Sequence, residues 1–403
     1  MDALEVLEKI DLIKPAFQPI ISAVTHKVAG YELFAQLVEE GESKSLEHFF
    51  LDEEVPDEIK LEVDQSVLKL ALAEIQQDDS TFLCISRTAQ ELFIKDGEPL
   101  LELLNTFNDN GFPPQRIVLQ ITEQDLEQYY NQLYHLLLYY KNCGIQIAID
   151  QLGNKTSNLD RIRQLEPNIL KINTRVIGSY EAEGYDDIMY SFEMLAERIG
   201  AALLFEDIED DFLQYFAWKH GGRYYQGYYL ADLHLERLEK VRMNVNVPEV
   251  TSMFVNRQKE IVEHRLELIL DWEQRLTELT ESWNSLDEIV TFLTKAGQLF
   301  DSESFRIYIC DSNGRQVSPN YHKKDNHWVI EEGYQGSNWA FRPYFLTNIM
   351  EIQHWNRAML SGLYADIETR ERIRTLSFPL PNHYFIFIDM SYRFLYENDC
   401  LLS

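Results

Sequence analysis

Polar side chains recur at the ends of successive short apolar runs in the first half of the chain. They are Ser86, Gln120, Thr122, Asp150, Lys171, Asn173 and Glu206. Carboxylates beside a lysine could hold a divalent cation or an anionic ligand. In a (β/α)8 barrel the carboxyl ends of the strands carry the active site, so their recurrence predicts one shared pocket. The alternative is that strands simply become polar where they meet solvent.

The segments that carry these residues alternate between strand-like and helix-like patterns. Between residues 116 and 230 this alternation is typical of β-α units and of a largely parallel sheet. Strands are predicted at 28–34, 81–86, 117–122, 145–150, 169–173 and 201–206, and helices at 126–138, 158–165 and 187–199. The sequence therefore predicts an α/β fold of the (β/α)8 type.

Two further segments follow the barrel. After Pro248, apolar residues at helical spacing run from Phe254 to Val290, which is typical of a helix that packs against another helix. We expect a connecting helix that also forms a homodimer, and the alternative is a helix packed on its own barrel. Strand patterns at 305–310 and 384–390 predict a small α+β module. The expected domains are residues 1–247, 248–285 and 286–403.

Composition narrows the class of protein. The formal charge of −31 disfavours binding to nucleic acid or to anionic lipid as a bulk function. The four cysteines form no C-x-x-C pair, and no apolar stretch is long enough to span a bilayer. We expect a cytoplasmic protein without membrane insertion.

The order of short motifs over residues 17–230 resembles an EAL domain, the (β/α)8 fold of cyclic di-GMP phosphodiesterases. The matching motifs are Gln18-Pro-Ile20, Gly30-Tyr-Glu-Leu-Phe34, Gln120-Ile-Thr-Glu123, Asp150-Gln-Leu-Gly153, Leu170-Lys-Ile-Asn173, Glu206-Asp-Ile-Glu209 and Gln226-Gly-Tyr228. The C-terminal segment resembles the PAS-like or Cache-like module of YkuI-type proteins. The resemblance implies a barrel joined to a sensory module.

The resemblance also implies a two-metal site, but one that is degenerate here. Of the metal-binding carboxylates, Glu32, Asp150 and Glu206 are retained, and Lys171 and Glu206 are the retained catalytic residues. The family's metal-site asparagine, two of its carboxylates and its aspartate after the lysine are replaced, at Ser86, Gln120, Gln151 and Asn173. Because hard cations lose affinity with each lost anion, we expect no required cofactor. Weak binding of a single Mg²⁺ or Mn²⁺ stays open.

The resemblance also bears on the binding of cyclic di-GMP, which is a separate question from its hydrolysis. The family's phosphate-binding arginine corresponds to Gln36, so affinity for cyclic di-GMP should fall. Any remaining binding would use Gln36, Arg161, Lys171 and Gln226. In the C-terminal module, Trp339, Arg342, Tyr344, Tyr364 and Asp389 resemble a pocket for a small carboxylate or amine. The alternative is that these five are structural core residues.

Three functions therefore remain open. The first is a non-catalytic regulatory protein whose barrel binds cyclic di-GMP or an unknown protein partner. The second is a weak cyclic di-GMP phosphodiesterase, and the third is a small-ligand sensor with the barrel as its structural output. The number of carboxylates separates the first two, and the contacts of Arg342 and Asp389 bear on the third.

Overall fold

The computed structural model divides into two compact units, residues 1–254 and 255–403. The residues that it describes are 3–52, 54–76, 80–109, 111–153, 158–175, 182–235, 241–283, 285–342 and 345–402.

The first unit is an eight-stranded barrel with one additional edge strand. Its strands are β1 (Ile13–Ser22), β2 (Val28–Glu39), β3 (Glu42–Ser45), β4 (Phe82–Ser86), β5 (Ile117–Thr122), β6 (Gln146–Leu152), β7 (Ile169–Asn173), β8 (Ala202–Glu206) and β9 (Tyr224–Tyr225). Neighbouring strands from β2 through β4 to β9 are parallel, in agreement with the sequence.

The first strand of the barrel runs against the others. β1 pairs antiparallel with β2 on one side and with β9 on the other, which closes the ring, and β3 extends β2 at an edge. Sequence patterns did not predict β1, because Pro15 and Pro19 interrupt it and proline is uncommon inside strands. The barrel is therefore not a uniform parallel (β/α)8 ring.

Helices cover the outside of the barrel. They are α1 (Ala3–Glu8), α2 (Glu47–Leu51), α3 (Asp57–Ile75), α4 (Ala89–Phe93), α5 (Glu98–Asn108), α6 (Glu123–Gln128), α7 (Tyr130–Asn142), α8 (Leu159–Leu165), α9 (Ala182–Ile199) and α10 (Asp211–Lys219). The single helix predicted at 126–138 is two helices, α6 and α7, since Tyr129 leaves the helical conformation between them.

The inside of the barrel contains an apolar layer to which six strands each contribute one buried residue. These residues are Ile20, Cys84, Val118, Ala148, Ile169 and Leu204, and Phe82, Ala202 and Tyr224 pack against them. Because strand side chains alternate between the two faces of a sheet, the residue two positions further along each strand faces the same interior. This layer thus determines which residues lie above it.

The second unit is a sheet between helices. After α11 (Val247–Thr280), which crosses the boundary between the units, come α12 (Ile289–Leu299), β10 (Ser304–Asp311), β11 (Asn320–Lys324), β12 (His327–Glu331), α13 (Phe345–Trp355), β13 (Met359–Leu360), β14 (Tyr364–Ala365), β15 (Arg372–Ile373), β16 (Thr375–Leu380), β17 (Tyr384–Met390) and α14 (Tyr392–Glu397). The main sheet is antiparallel, in the order β12-β11-β10-β17-β16-β13.

Side chains along the central strands point alternately to the two faces of the sheet, and each face carries its own hydrophobic core. On one face, Ile307 and Ile388 belong to a cluster with Trp272 and Leu276 of α11. On the other face, Tyr308 and Phe387 pack with Phe345 and neighbouring residues of α13. β11 and β12 form a hairpin, which is joined through Asp325 and Asn326 in left-handed conformations.

Within the described ranges, none of the helices combines the length and the apolar content that crossing a membrane requires.

Candidate functional site

A polar layer lies directly above the apolar layer of the barrel. On each of five strands, the residue two positions after the apolar-layer residue is polar. These polar residues are Ser86, Gln120, Asp150, Lys171 and Glu206, which follow Cys84, Val118, Ala148, Ile169 and Leu204. Because β1 runs in the opposite direction, its contribution is Gln18, two positions before Ile20. These five residues of β4 to β8, which sequence patterns placed at strand ends, do share one site.

Lys171 lies at the centre of this polar layer. Its side chain is fully buried, and its Nζ lies 3.1 Å from Glu32 Oε1, 2.9 Å from Glu206 Oε2 and 3.8 Å from Asp150 Oδ2. One ammonium therefore faces three carboxylates. Such a buried cluster is held together only because each charge has an opposite charge beside it.

Gln120 connects the other members of the layer through its amide. Its Nε2 lies 2.5 Å from Glu32 Oε1, 2.5 Å from Ser86 Oγ and 3.3 Å from Asp150 Oδ2. Its Oε1 accepts hydrogen bonds from Lys171 Nζ at 3.0 Å and from Cys84 Sγ at 2.9 Å. Since an ammonium can only donate, the contact with Lys171 fixes which end of the amide is the oxygen.

Asn173 supports the cluster from β7. Its Nδ2 donates to Glu206 Oε1 at 3.2 Å and to Asp207 Oδ2 at 2.8 Å. Thr174 Oγ1 donates to the backbone carbonyls of Glu206 and Asp207. These contacts fix the segment after β8, where Asp207 adopts a left-handed conformation.

Burial shifts the acidity of this cluster. It raises the pKa of Glu206 to about 8, with Lys171 opposing the shift and the charges of Asp150 and Glu32 adding to it. Burial also raises the pKa of Asp150. Burial opposes the charge on Lys171, but the three surrounding carboxylates raise its pKa well above the ordinary value. The site therefore favours fewer than three negative charges.

Gln226 links the last strand region to the first. Its Nε2 donates to Glu32 Oε2 at 2.5 Å and to Gln18 Oε1 at 2.9 Å, while its buried Oε1 has no hydrogen-bond partner among the described residues. The roles of Gln18 and Cys84 were not recognised from the sequence. The signal for Cys84 was its position two residues before Ser86 on the same strand.

The side chains of three predicted site residues make no contact with the cluster among the contacts of the described residues. Gln36 is buried on β2, where its Oε1 accepts from Ser43 Oγ at 2.7 Å. Arg161 lies on α8, donates to the carbonyl of Glu127 and covers the ring of Tyr130. Gln151 is exposed in a left-handed conformation, and its backbone N–H donates to Asp150.

The donor set does not fit a pair of divalent cations. Such ions require several converging oxygen ligands, whereas here the amide nitrogen of Gln120 and the ammonium of Lys171 point toward the carboxylates. Across the described residues, no group of three or more His, Cys, Asp and Glu side chains is arranged to hold a metal ion.

In the second unit, Asp389 belongs to a buried ion network. Its Oδ2 accepts from Arg306 Nε at 2.7 Å and its Oδ1 from Thr375 Oγ1 at 2.6 Å. The same guanidinium contacts Asp366 at 2.7 Å and Glu368 at 3.2 Å. Sequence analysis did not single out Arg306, and the signal available was a charged residue inside an apolar strand pattern.

The other predicted residues of this unit border two small clefts. Arg342 lies over the rings of Trp339 and Tyr364, at 4.8 and 5.9 Å from their centroids. Arg342 and Tyr308 line both clefts. Tyr344 lies outside the described residues.

Comparison with known proteins covers the whole chain. The EAL domain model matches residues 2–232, and the model of the EAL-domain associated signalling protein domain matches residues 239–402. The EAL-domain containing protein YkuI of Bacillus subtilis is 39% identical over 408 residues, covering 100% of both chains. The probable cyclic di-GMP phosphodiesterase PdeA of Escherichia coli is 28% identical over 131 residues, which are 32% of this chain and 18% of PdeA.

Solved structures agree with these matches. The crystal structure of the B. subtilis YkuI protein, in complex with substrate c-di-GMP and calcium, superposes with a TM-score of 0.92 at 38% identity and covers 100% of both chains. The FimX EAL domain from Pseudomonas aeruginosa, bound to c-di-GMP, has a TM-score of 0.51 at 21% identity and covers 58% of this chain and 97% of that one. The second similarity concerns the fold alone.

Proposed function

The chain belongs to the EAL-domain family and carries the signalling domain associated with it, and from this we propose that it is a regulatory protein that binds cyclic di-GMP without hydrolysing it. In this proposal the barrel is the ligand-binding part, and the C-terminal unit modulates it. The protein would act in the cytoplasm as a homodimer.

The observation that best supports the absence of hydrolysis is the position of Gln120. Water attack on a phosphodiester in a two-metal site needs both cations in place. The Gln120 amide nitrogen, with two hydrogens, lies within hydrogen-bond distance of Glu32, Ser86 and Asp150, and so occupies the side of these residues that a cation pair would need. This arrangement supports a site that retains the shape of the family pocket but lacks turnover.

The similarity to YkuI supports the choice of ligand. That protein covers the whole length of this chain and was crystallised with c-di-GMP. Where the family pattern has an arginine, Gln36 is held by Ser43 and offers a neutral amide in place of a guanidinium. We therefore expect binding that is weaker than that of a family member with the arginine.

The test combines hydrolysis with binding. Purified protein is incubated with cyclic di-GMP and Mg²⁺ or Mn²⁺, and linear dinucleotide is measured beside an active EAL phosphodiesterase. Calorimetry measures binding in the same buffers. Saturable binding without product supports the proposal. Absence of binding, or product that disappears in a Glu32→Ala variant, contradicts it.

Weak hydrolysis is the second candidate, because Glu32, Asp150 and Glu206 all remain around Lys171. In this candidate, Glu32, Asp150 and Glu206 would together hold a single cation, which would supply a more acidic bound water. In that case product formation should depend on Mn²⁺ concentration, and Glu206→Gln should abolish it. A Glu209→Gln variant, altered in an exposed side chain nearby, should retain it.

The C-terminal clefts support a sensory role for the second unit. Arg342 borders both clefts and lies over the ring of Trp339, and its planar guanidinium suits a carboxylate. We propose a small carboxylate as ligand. Succinate, acetate and glycine are the probes in a thermal-shift assay, and any stabilisation should disappear in Arg342→Ala. A shift that persists in this variant contradicts the proposal.

A further inference from the structure

The cleft of the C-terminal unit that Arg342 shares with Trp339 has a second group of charged lining residues. Asp366 and Glu368 belong to the loop between β14 and β15, and Arg306 belongs to β10. The proposed carboxylate ligand uses Arg342 alone. The second group therefore bears on which carboxylates this cleft accepts.

This second group carries an excess of negative charge. The Arg306 guanidinium lies 2.7 Å from Asp366, 3.2 Å from Glu368 and 2.7 Å from Asp389. Burial favours a neutral Asp366, but the hydrogen bond and the charge of Arg306 outweigh burial and lower the pKa of this carboxyl group. With Arg342 included, two guanidinium groups stand against three carboxylates. A ligand that carries only a carboxylate would add a second unbalanced negative charge.

Glu368 is the carboxylate of this group that can receive another cation. Its side chain is 37% exposed, whereas those of Asp366 and Asp389 are almost completely buried. One of its oxygens accepts from Arg306 and the other from the hydroxyl of Tyr334. Because a carboxylate offers about four acceptor sites, Glu368 keeps capacity for an ammonium group that enters the cleft.

A series of side-chain contacts leaves hydrogen-bond donors for an anion in the same cleft. The indole N–H of Trp339, which can only donate, contacts Gln316 Oε1 at 2.9 Å, so the other end of this amide is the nitrogen. That nitrogen donates to Asn320 Oδ1 at 2.8 Å. Asn320 lines the cleft and is 3% exposed, and its amide nitrogen has no hydrogen-bond partner among the described residues. A bound anion would pair this buried donor, which is costly to leave unpaired.

We infer that this cleft takes a small zwitterion of the amino-acid type, with its carboxylate at Arg342 and Asn320 and its ammonium group at Glu368. The inference rests on the proposed sensory role of Arg342, and it narrows the ligand from any small carboxylate to one that also carries an amine. Such a ligand adds no net charge to a cleft that is already negative. Both of its ends meet groups of the opposite polarity.

The first test compares matched ligands on the whole wild-type chain. The common amino acids are screened by thermal shift, and calorimetry then measures the best of them beside two analogues, one without the amine and one without the carboxylate. Each analogue should bind at least about tenfold more weakly, because one charge-assisted contact is lost. An analogue without the amine that binds as tightly as the amino acid overturns the inference and leaves the small carboxylate in place. Stabilisation by no amino acid also overturns it, and succinate and acetate then decide whether the proposed carboxylate ligand fails as well.

The second test removes the proposed ammonium contact. Glu368→Gln should weaken binding of the amino acid at least about tenfold. The analogue without the amine should bind this variant at least as tightly as the wild type, because a repelling charge is gone. Glu371→Gln changes an exposed carboxylate of the same loop and should bind both ligands as the wild type does. Equal weakening of both ligands in Glu368→Gln would indicate a structural role and contradicts the inference, as does an unchanged affinity for the amino acid.

Discussion

At the scale of single residues, burial makes the charges of the barrel mouth depend on one another. Glu206 and Asp150 lie next to each other beside a single ammonium, so protonating one carboxyl group relieves the other. The cost of an unpaired charge in this position is much larger than at the surface. Small changes in charge should therefore have large effects on stability.

The raised pKa of Glu206 predicts how stability depends on pH. Its pKa is about 8 in the folded protein against an ordinary value of 4.5, so between these values the folded state binds the additional proton. The contribution of Glu206 is complete below about pH 4.5 and is lost as the pH rises toward 8. The melting temperature should therefore fall over this range.

Two variants isolate this effect from the general repulsion of a highly acidic chain. Glu206→Gln should flatten the decline between about pH 5 and pH 8, because the amide does not titrate. Glu209→Gln removes an exposed carboxylate from the same segment and should retain the wild-type slope. Identical slopes in all three proteins would contradict the assignment to Glu206.

Sequence reasoning brought Asp150, Lys171 and Glu206 together because strand ends in a barrel share one edge. It could not find the partner of Asp389, since Arg306 lies 83 residues earlier in the chain and their contact depends on the pairing of β10 with β17. The orientation of the Gln120 amide was equally inaccessible. It is set by Lys171, a residue 51 positions away.

At the scale of elements, strand patterns identified β4 to β8 to within about two residues at each end, whereas strand direction required the structure. An isolated strand pattern is the same in a parallel and in an antiparallel strand, and β1 carries two prolines as well. For α11 the spacing of apolar residues indicated a helix that packs against another helix. Trp272 and Leu276 of α11 belong to the core of the second unit, while a contact with another chain stays a prediction.

Gly227 lies so close to the backbone of Ile208 that no side chain fits at this position. A Cβ at this position would meet the backbone of Ile208, and the residue follows Gln226, which binds Glu32. We expect Gly227→Ala to lower the free energy of unfolding by about 1–3 kcal/mol, because a backbone group cannot rotate away. Urea unfolding measures this. Gly362→Ala, where the space is open, should change stability by less than about 0.5 kcal/mol.

The ion network of the second unit gives a parallel prediction. Arg306→Met would leave Asp389 and Asp366 buried without their counter-charge, at a cost of about 3–5 kcal/mol. Denaturant unfolding followed by the fluorescence of Trp272 and Trp283 reports on this unit. Arg393→Met removes an exposed i,i+4 pair and should change stability by less than about 1 kcal/mol. Equal unfolding midpoints for both variants would rule out a structural role for the network.

At the scale of the whole molecule, each unit has its own hydrophobic core. The barrel cores and the clusters on the two faces of the C-terminal sheet draw on separate residues. The formal charge of −31 opposes association of whole molecules unless apolar contact compensates for it. Leu266 and Leu270, one helical turn apart on α11, are exposed apolar residues that could provide such contact.

The homodimer expected from the sequence is tested through these leucines. Light scattering at micromolar concentration should return twice the chain mass of 47.5 kDa. Leu270→Glu should shift the distribution toward the monomer, because it places a charge on the exposed apolar pair formed by Leu266 and Leu270. Leu51→Glu, at an exposed apolar residue of the barrel, should leave the mass unchanged. A monomeric wild-type protein would show that α11 has no second copy as its partner.

The reversed first strand also sets the order in which the barrel is completed during synthesis. β1 pairs with β2 in a short hairpin, whereas its other neighbour, β9, is the last strand of the barrel to be synthesised. The side chains of Gln18 and Gln226, which are hydrogen-bonded to each other, are 208 residues apart in the chain. Contacts between distant segments form late, because the chain must first close a long loop. Until β9 has been synthesised, the strands already made can form only an open sheet with β1 at its edge. Only the arrival of Tyr224 and Tyr225 converts that sheet into a ring.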